Sequence, residues 1–226
     1  MLGHYPTPQG GSRPHPSQGH GGGTRTQRTF VDTQLEPLLA EARAGHRDVY
    51  FVDASHFVFA AFLGWVWCVT RWFVRAASGR KRYNVLGALH AVSHRLIQVS
   101  NHNYINAVSV CDLLRALAQA SVGRPITLVL DNARYQKCAL VRDLAVTLGI
   151  ELLYLPSYSP NLNLIERVWR LVKKQCLRAA YHSSYEAFTT AIDKCLGELD
   201  TIYKNDMDSF LAHNFQMFDS VPLLAA

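Results

Sequence analysis

Three acidic residues stand where apolar runs or a rigid turn would aim their side chains: Asp53, Asp131 and Glu166. Asp53 closes the run VYFVD, Asp131 closes ITLVLD, and Glu166 follows the turn SYSPNLN. Carboxylates converging from separate segments are a donor set for hard divalent cations, and two such ions about 4 Å apart can cleave and join phosphodiester bonds. Each acid alone also fits a plainer role. A strand-end aspartate forms turns, and a glutamate in the first turn of a helix suits the helix dipole.

The elements that must hold these acids can be read from the apolar pattern. Residues 33–44 read as a short helix with Asp32 as its cap. Residues 49–53 read as a buried strand ending on Asp53, with residues 65–70 as its neighbour. A turn falls at residues 78–79, a third strand at 84–89 and a fourth at 95–100. An amphipathic helix follows at 105–120, with Val108, Leu113, Leu114, Leu117 and Ala118 on its apolar side. Residues 126–132 form a continuous apolar run of the kind buried on both faces of a sheet. A helix at 136–148 ends at Gly149, and residues 150–156 make another buried strand. Helices are expected at 162–177 and 184–199. Antiparallel strands first, then strands alternating with helices, predict an α/β fold with a mixed sheet and helices on both faces.

The helix carrying Glu166 has two distinct sides. At 100° per residue, Glu166, Arg170 and Lys173 share a stripe, with Arg167 and Lys174 on its edge. Ile165, Trp169, Val172 and Cys176 face the other way. Cations beside an ion-binding acid suit a phosphate backbone. A solvated face with Glu–Arg pairing at i,i+4 gives the same pattern.

Composition narrows the field without deciding it. Of the 226 residues, 49% are hydrophobic and 18% charged, enough for a packed core. The net charge of +6 favours a polyanionic partner, nucleic acid first. The five cysteines form no close pair, which fits reduced core residues rather than a zinc site or a disulfide framework. The apolar run at 54–70 is too short for a membrane span, and no signal peptide is visible. Residues 1–29 are rich in Gly, Pro, His, Ser and Gln, so a disordered tail or linker is expected there. The domain is then 30–226. His4, His15 and His20 lie in that tail and are given no role.

The segment LVLDNARYQK…GIELLYLPSYSPNLNLIERVWRLVKKQ (residues 128–175) resembles the catalytic core of bacterial insertion-sequence transposases of the mariner-like DDE superfamily. The resemblance rests on the strand ending in Asp131–Asn132, the LPSYSPNLNLIE turn and the following Trp169. The 34 residues between Asp131 and Glu166 fit that group's spacing. VYFVDASHF and SGRKRYNVLGAL are similar to its first acidic strand and its third-strand region.

That resemblance implies a ribonuclease H-like fold with a five-stranded mixed sheet. It implies two Mg²⁺ or Mn²⁺ ions held by Asp53, Asp131 and Glu166, with Asn132 and Asn161 supporting them. The substrate would be double-stranded DNA at transposon ends, the target a TA dinucleotide, and the active complex a homodimer. Arg167, Arg170, Lys173 and Lys174, from their place on the Glu166 helix, are candidate DNA contacts; so, by proximity to these motifs, are Arg134, Lys137, His56, Arg71, Lys81 and Arg82, each of which alone fits a plain surface or structural role better. The implied location is the bacterial cytoplasm, at the nucleoid. Two departures stand out. Gln136 occupies a place where many relatives carry a histidine. The Gly/Pro-rich tail stands where relatives carry helix-turn-helix domains, so end recognition would need another chain. A ribonuclease H-like nuclease acting on hybrids or junctions would use the same acids, and a non-catalytic DNA-binding or dimerising module would keep the fold alone.

Overall fold

The computed structural model describes residues 21–59, 80–121, 123–177 and 180–211. The strand expected at 65–70, the turn at 78–79, Cys68, Arg71 and residues 1–20 lie outside them.

The sheet is built from the most apolar runs of the chain. Strands β1 (Asp48–Phe59), β2 (Lys81–His90), β3 (Leu96–Asn101), β4 (Ile126–Leu130) and β5 (Ile150–Tyr154) form one sheet in the order β3-β2-β1-β4-β5. β3, β2 and β1 pair antiparallel; β1, β4 and β5 pair parallel. β4 is buried along its whole length, as a strand covered on both faces must be.

β1 corrects the expectation that the strand ends at Asp53. Its parallel pairing with β4 stops at Val52–Leu130, but its antiparallel pairing with β2 runs on to Phe59–Lys81. Asp53 therefore sits mid-strand, at the point where one neighbour leaves and the other continues. Asp131 directly follows β4.

Helices cover both faces. Helix α1 (Gly21–Phe30) runs through a π-helical turn (Val31–Leu35) into α2 (Glu36–Arg43). Phe30, Val31, Leu35, Leu39 and Ala42 are buried, and that packing holds together a stretch whose first residues read as linker. Asp32 lies inside the helical run and caps nothing. Helix α3 (Ala107–Ala120) is capped by Asn106, whose side chain accepts from the Val108 and Ser109 amides. Its inner side is Ser109, Val110, Cys111, Leu113, Leu114 and Leu117. Val108, expected inside, is exposed at 56%. Helix α4 (Ala139–Thr147) begins after a 3₁₀ turn at Arg134–Gln136 and closes at Gly149, whose φ of +66° suits glycine. Helix α5 (Ile165–Cys176) follows a second 3₁₀ turn at Pro160–Leu162. Helix α6 (Tyr185–Gly197) is capped by the Ser184 hydroxyl, and α7 (Lys204–Leu211) was not legible in the sequence.

Two cores result, one on each face. Val49, Phe51, Phe57, Val85, Leu89 and Val129 pack with α2, α5, α6 and α7. Tyr50, Val52, Leu86, Ala88, Leu128 and Leu130 pack with α3 and α4. Side chains alternate along a strand, so Asp53 shares a face with Phe51 and Phe57, the face that α5 covers. Cys111, Cys138, Cys176 and Cys195 are free thiols. Among the described residues, no helix is long and apolar enough to cross a membrane.

Candidate active site

Asp53, Asp131 and Glu166 line one open cleft of about 400 Å³ at the carboxyl end of the parallel strands. Three separate elements deliver them: the middle of β1, the end of β4 and the first turn of α5. Ligands gather at this end of α/β sheets. The opposite wall is the loop after β5, from Leu155 to Pro160, together with Asn163.

The acids feel one another. The Asp53 carboxyl is pushed up to about 7, first by burial, then by the negative charge of Glu166 and, more weakly, that of Asp131. The Tyr135 hydroxyl, not singled out in the sequence, is pushed up to about 12 by burial and then by Asp131 and Asp53. Among the described residues no Lys, Arg or His forms an ion pair with any of the three acids. Carboxylates crowded without a counter-cation disfavour ionisation; a divalent cation would reverse that.

No group of three or more His, Cys, Asp or Glu side chains among the described residues is arranged to hold one ion. Mg²⁺ needs less than that. It is bound through one or two carboxylates, with water and substrate phosphate completing its shell. Oxygen donors on three different elements, in an open cleft, fit such an ion. They do not fit a closed N/S cage of the zinc type.

The aim of each acid is fixed by its neighbours. Trp169, 2% exposed on α5, donates its indole N–H to Asp53 Oδ2 at 3.0 Å. Phe57 meets that ring edge to face at 6.3 Å. Asp131 Oδ1 accepts from the Ala133 amide at 3.1 Å, so one oxygen also serves the local turn. Asn132 donates to the Leu155 carbonyl at 2.6 Å and accepts from Lys137, stitching the end of β4 to the loop after β5. Asn163 is buried. Its Nδ2 donates to the Val52 carbonyl at 3.1 Å, and its own carbonyl accepts from the Glu166 amide at 3.2 Å. It thus links the residue before Asp53 to Glu166. Its Oδ1 is buried with no hydrogen-bond partner among the described residues, another hard oxygen beside the acids.

Asn163 and Trp169 were not assigned these roles in the sequence. Both sit inside the quoted motif, but their partners are 111 and 116 residues away. Asn161, expected to support the site, turns outward and donates to Gln27 Oε1 on α1 at 3.1 Å. Gln27 Nε2 in turn donates to the Tyr158 carbonyl at 3.3 Å.

The cations spread over several places. Arg167, Arg170 and Lys174 line a separate hollow of about 220 Å³ on α5. Lys173 lies over the Phe57 ring at 5.9 Å. Lys137 lies over Tyr154 at 4.9 Å, next to Asn132. Arg134 is exposed in the 3₁₀ turn after Asp131. His56 is hydrogen-bonded to Asn84 at 2.7 Å, Lys81 lies over Tyr185, and Arg82 is exposed on β2. None of these cations lines the acid cleft. Gln136 is fully buried and does not line it either.

Comparison with solved structures gives the fold its relatives. The chain is similar to the Mos1 transposase paired-end complex with left transposon end, at a TM-score of 0.55 and 15% identity, covering 94% of this chain and 68% of that one. It is similar to the mariner Mos1 paired end complex with Mg, at 0.54 and 18%, covering 95% and 68%. It is also similar to the Mos1 strand transfer complex, at 0.53 and 17%, covering 94% and 68%. The five-stranded mixed sheet flanked by helices is ribonuclease H-like. Among curated proteins, none matches the sequence. A family model described as DDE superfamily endonuclease matches residues 48–189, from the first residue of β1 into α6. That span is well over half of the chain and contains all three acids of the cleft, so the chain belongs to the DDE superfamily endonucleases.

Proposed function

We propose that this chain is the catalytic core of a DNA transposase that cuts transposon ends and joins them to a target, with two divalent ions held by Asp53, Asp131 and Glu166. The observation that carries this is the meeting of the three acids in one cleft. Each is delivered by its own element, and none is neutralised by a cation among the described residues. The solved relatives support the choice of DNA substrate: those proteins are held in complexes named for transposon ends, strand transfer and Mg.

Bound Mg²⁺ or Mn²⁺ would activate the attacking oxygen and stabilise the leaving one. The chain's own contribution is placement. Asp53 and Asp131, held by neighbouring strands, offer short arms from a rigid sheet. Glu166 reaches in from α5 with a longer arm. Trp169 fixes one Asp53 oxygen, and Asn163 sets the distance between β1 and the start of α5. Arg167, Arg170, Lys173 and Lys174 extend a basic surface along α5 for the phosphate backbone. A TA target, a homodimer in the active complex and a separate chain that reads the ends complete the reading.

The test is nicking of supercoiled plasmid by the purified chain with Mg²⁺ or Mn²⁺, alongside duplex end, RNA–DNA hybrid and junction substrates. Metal-dependent cutting of duplex DNA is expected, lost in Asp131→Asn and Glu166→Gln with unchanged melting. A folded double variant cutting at the wild-type rate, or a clear preference for hybrids or junctions, overturns the proposal.

A further inference from the structure

Tyr158 is 98% exposed, and its backbone has φ +59°. That left-handed conformation is unfavourable for a bulky L-residue and is normally taken by glycine or asparagine. Among the described residues its ring makes no aromatic contact and its hydroxyl no hydrogen bond. Strain of this kind persists only where the surroundings impose it, and it concentrates at ligand sites.

The surroundings do impose it. Ser159 is buried on one side. Gln27 of α1 holds the Tyr158 carbonyl at 3.3 Å and accepts from Asn161 at 3.1 Å, gripping the loop on both sides of Pro160. The ring is therefore presented on a braced loop. That loop lines the cleft that contains Asp53, Asp131 and Glu166.

A flat, uncharged, solvent-facing ring beside a cluster of carboxylates is poorly suited to phosphate, which the acids repel until cations arrive. It is well suited to the face of a nucleobase, since aromatic stacking accepts any base. In the interior of a duplex both faces of every base are covered by its neighbours. Away from an end, a base can reach this ring only if its nucleotide is unpaired or turned out of the stack, at a cost of about a few kcal/mol that is least where pairing is already lost.

We propose that Tyr158 is a stacking platform for one unpaired nucleobase at the mouth of the carboxylate cleft. The proposal rests on the DNA-cutting reading and adds the state of the substrate: the nucleotide beside the scissile phosphate leaves the duplex stack.

The experiment uses the full chain with Ca²⁺ and two oligonucleotide probes, one single-stranded and one fully paired, each carrying a single 2-aminopurine. Stacking on the ring quenches the probe. Wild type, Tyr158→Phe and Tyr158→Trp are expected to quench the single strand. Tyr158→Ala is expected to bind it about tenfold more weakly, without quenching. The salt dependence of binding is expected to stay the same, because no phosphate contact is lost. Tyr158→Gly relieves the backbone strain, so it should melt higher than wild type yet also lose the quenching. If Tyr158→Ala binds and quenches like wild type while duplex nicking continues, the stacking site is refuted and the DNA-cutting reading stands. Loss of self-association in Tyr158→Ala, with quenching intact, would make the ring a protein contact and refute it too. If wild type binds neither probe, both readings fail.

Discussion

Gly87 stands directly opposite Asp53 in the register of β1 and β2, on the face of the sheet that α5 covers. A methyl group at Gly87 would lie 2.8 Å from Trp169 Cη2 and 3.0 Å from Ile165 Cδ1. The missing side chain is what lets the tryptophan ring lie across β2 and bring its N–H to the carboxylate on β1. A glycine inside a strand is otherwise unfavourable, so its presence here is tied to the site rather than to the sheet.

Trp169→Phe keeps much of the buried ring and removes the donor. We expect it to lower stability in urea by roughly 2 kcal/mol. The rise in Tm on adding Mn²⁺ should shrink, because Asp53 loses its fixed direction. A variant whose Mn²⁺ response matches wild type would show that other contacts aim Asp53.

Gly87→Ala forces its new methyl against two buried side chains that cannot swing into solvent. The expected loss is about 1–3 kcal/mol. In the double variant with Trp169→Phe, part of the clash is gone, so the losses should add to less than their sum. Strict additivity in a double-mutant cycle would argue against the contact.

The raised carboxyl of Asp53 sets a pH dependence. Its folded value is about 7 against an ordinary 3.8. Between those values the folded chain holds a proton that the unfolded chain has released, so stability falls as pH rises through that window. Without metal, Tm should drop between pH 5 and pH 8 more steeply in wild type than in Asp53→Asn. Mn²⁺ binds the ionised form, so its stabilising effect should be larger at pH 8 than at pH 5. Parallel curves for wild type and Asp53→Asn would disprove this origin of the slope.

Asn163→Ala leaves the Val52 carbonyl buried and unpaired. The expected effect is a loss of about 1–3 kcal/mol in urea denaturation, with slower plasmid nicking because Glu166 is no longer tied to β1. Unchanged nicking in a destabilised variant would confine Asn163 to a structural role.

Much of this arrangement was legible in the sequence, for reasons particular residues make plain. β4 and β5 are short apolar runs bounded by Pro125, Gly149 and Pro156, and α5 has clear buried and exposed sides. Asp131 and Glu166 are placed by those elements. The true end of β1 is hidden because an aspartate after four apolar residues looks like a strand end. Its continuation depends on pairing with β2, which no local pattern reveals. Helix α1 is hidden because GGGTRTQR has the composition of a linker; the buried Phe30 and Val31, at its end and just beyond, anchor the stretch. The bonds from Trp169 to Asp53 and from Asn163 to Val52 join elements far apart in the chain, so their motif was visible but their partners were not.

The parallel pairing of β1 with β4 has a consequence for when the acid cleft comes into being. Asp53 and Asp131 become neighbours only once these two strands close across the intervening hairpin and α3, a long-range step expected late in folding. A partly synthesised or partly folded copy can own each acid and still have no place for them to act together. The cleft arrives with the finished sheet, so on the proposed reading a half-made chain has nowhere to hold the ions.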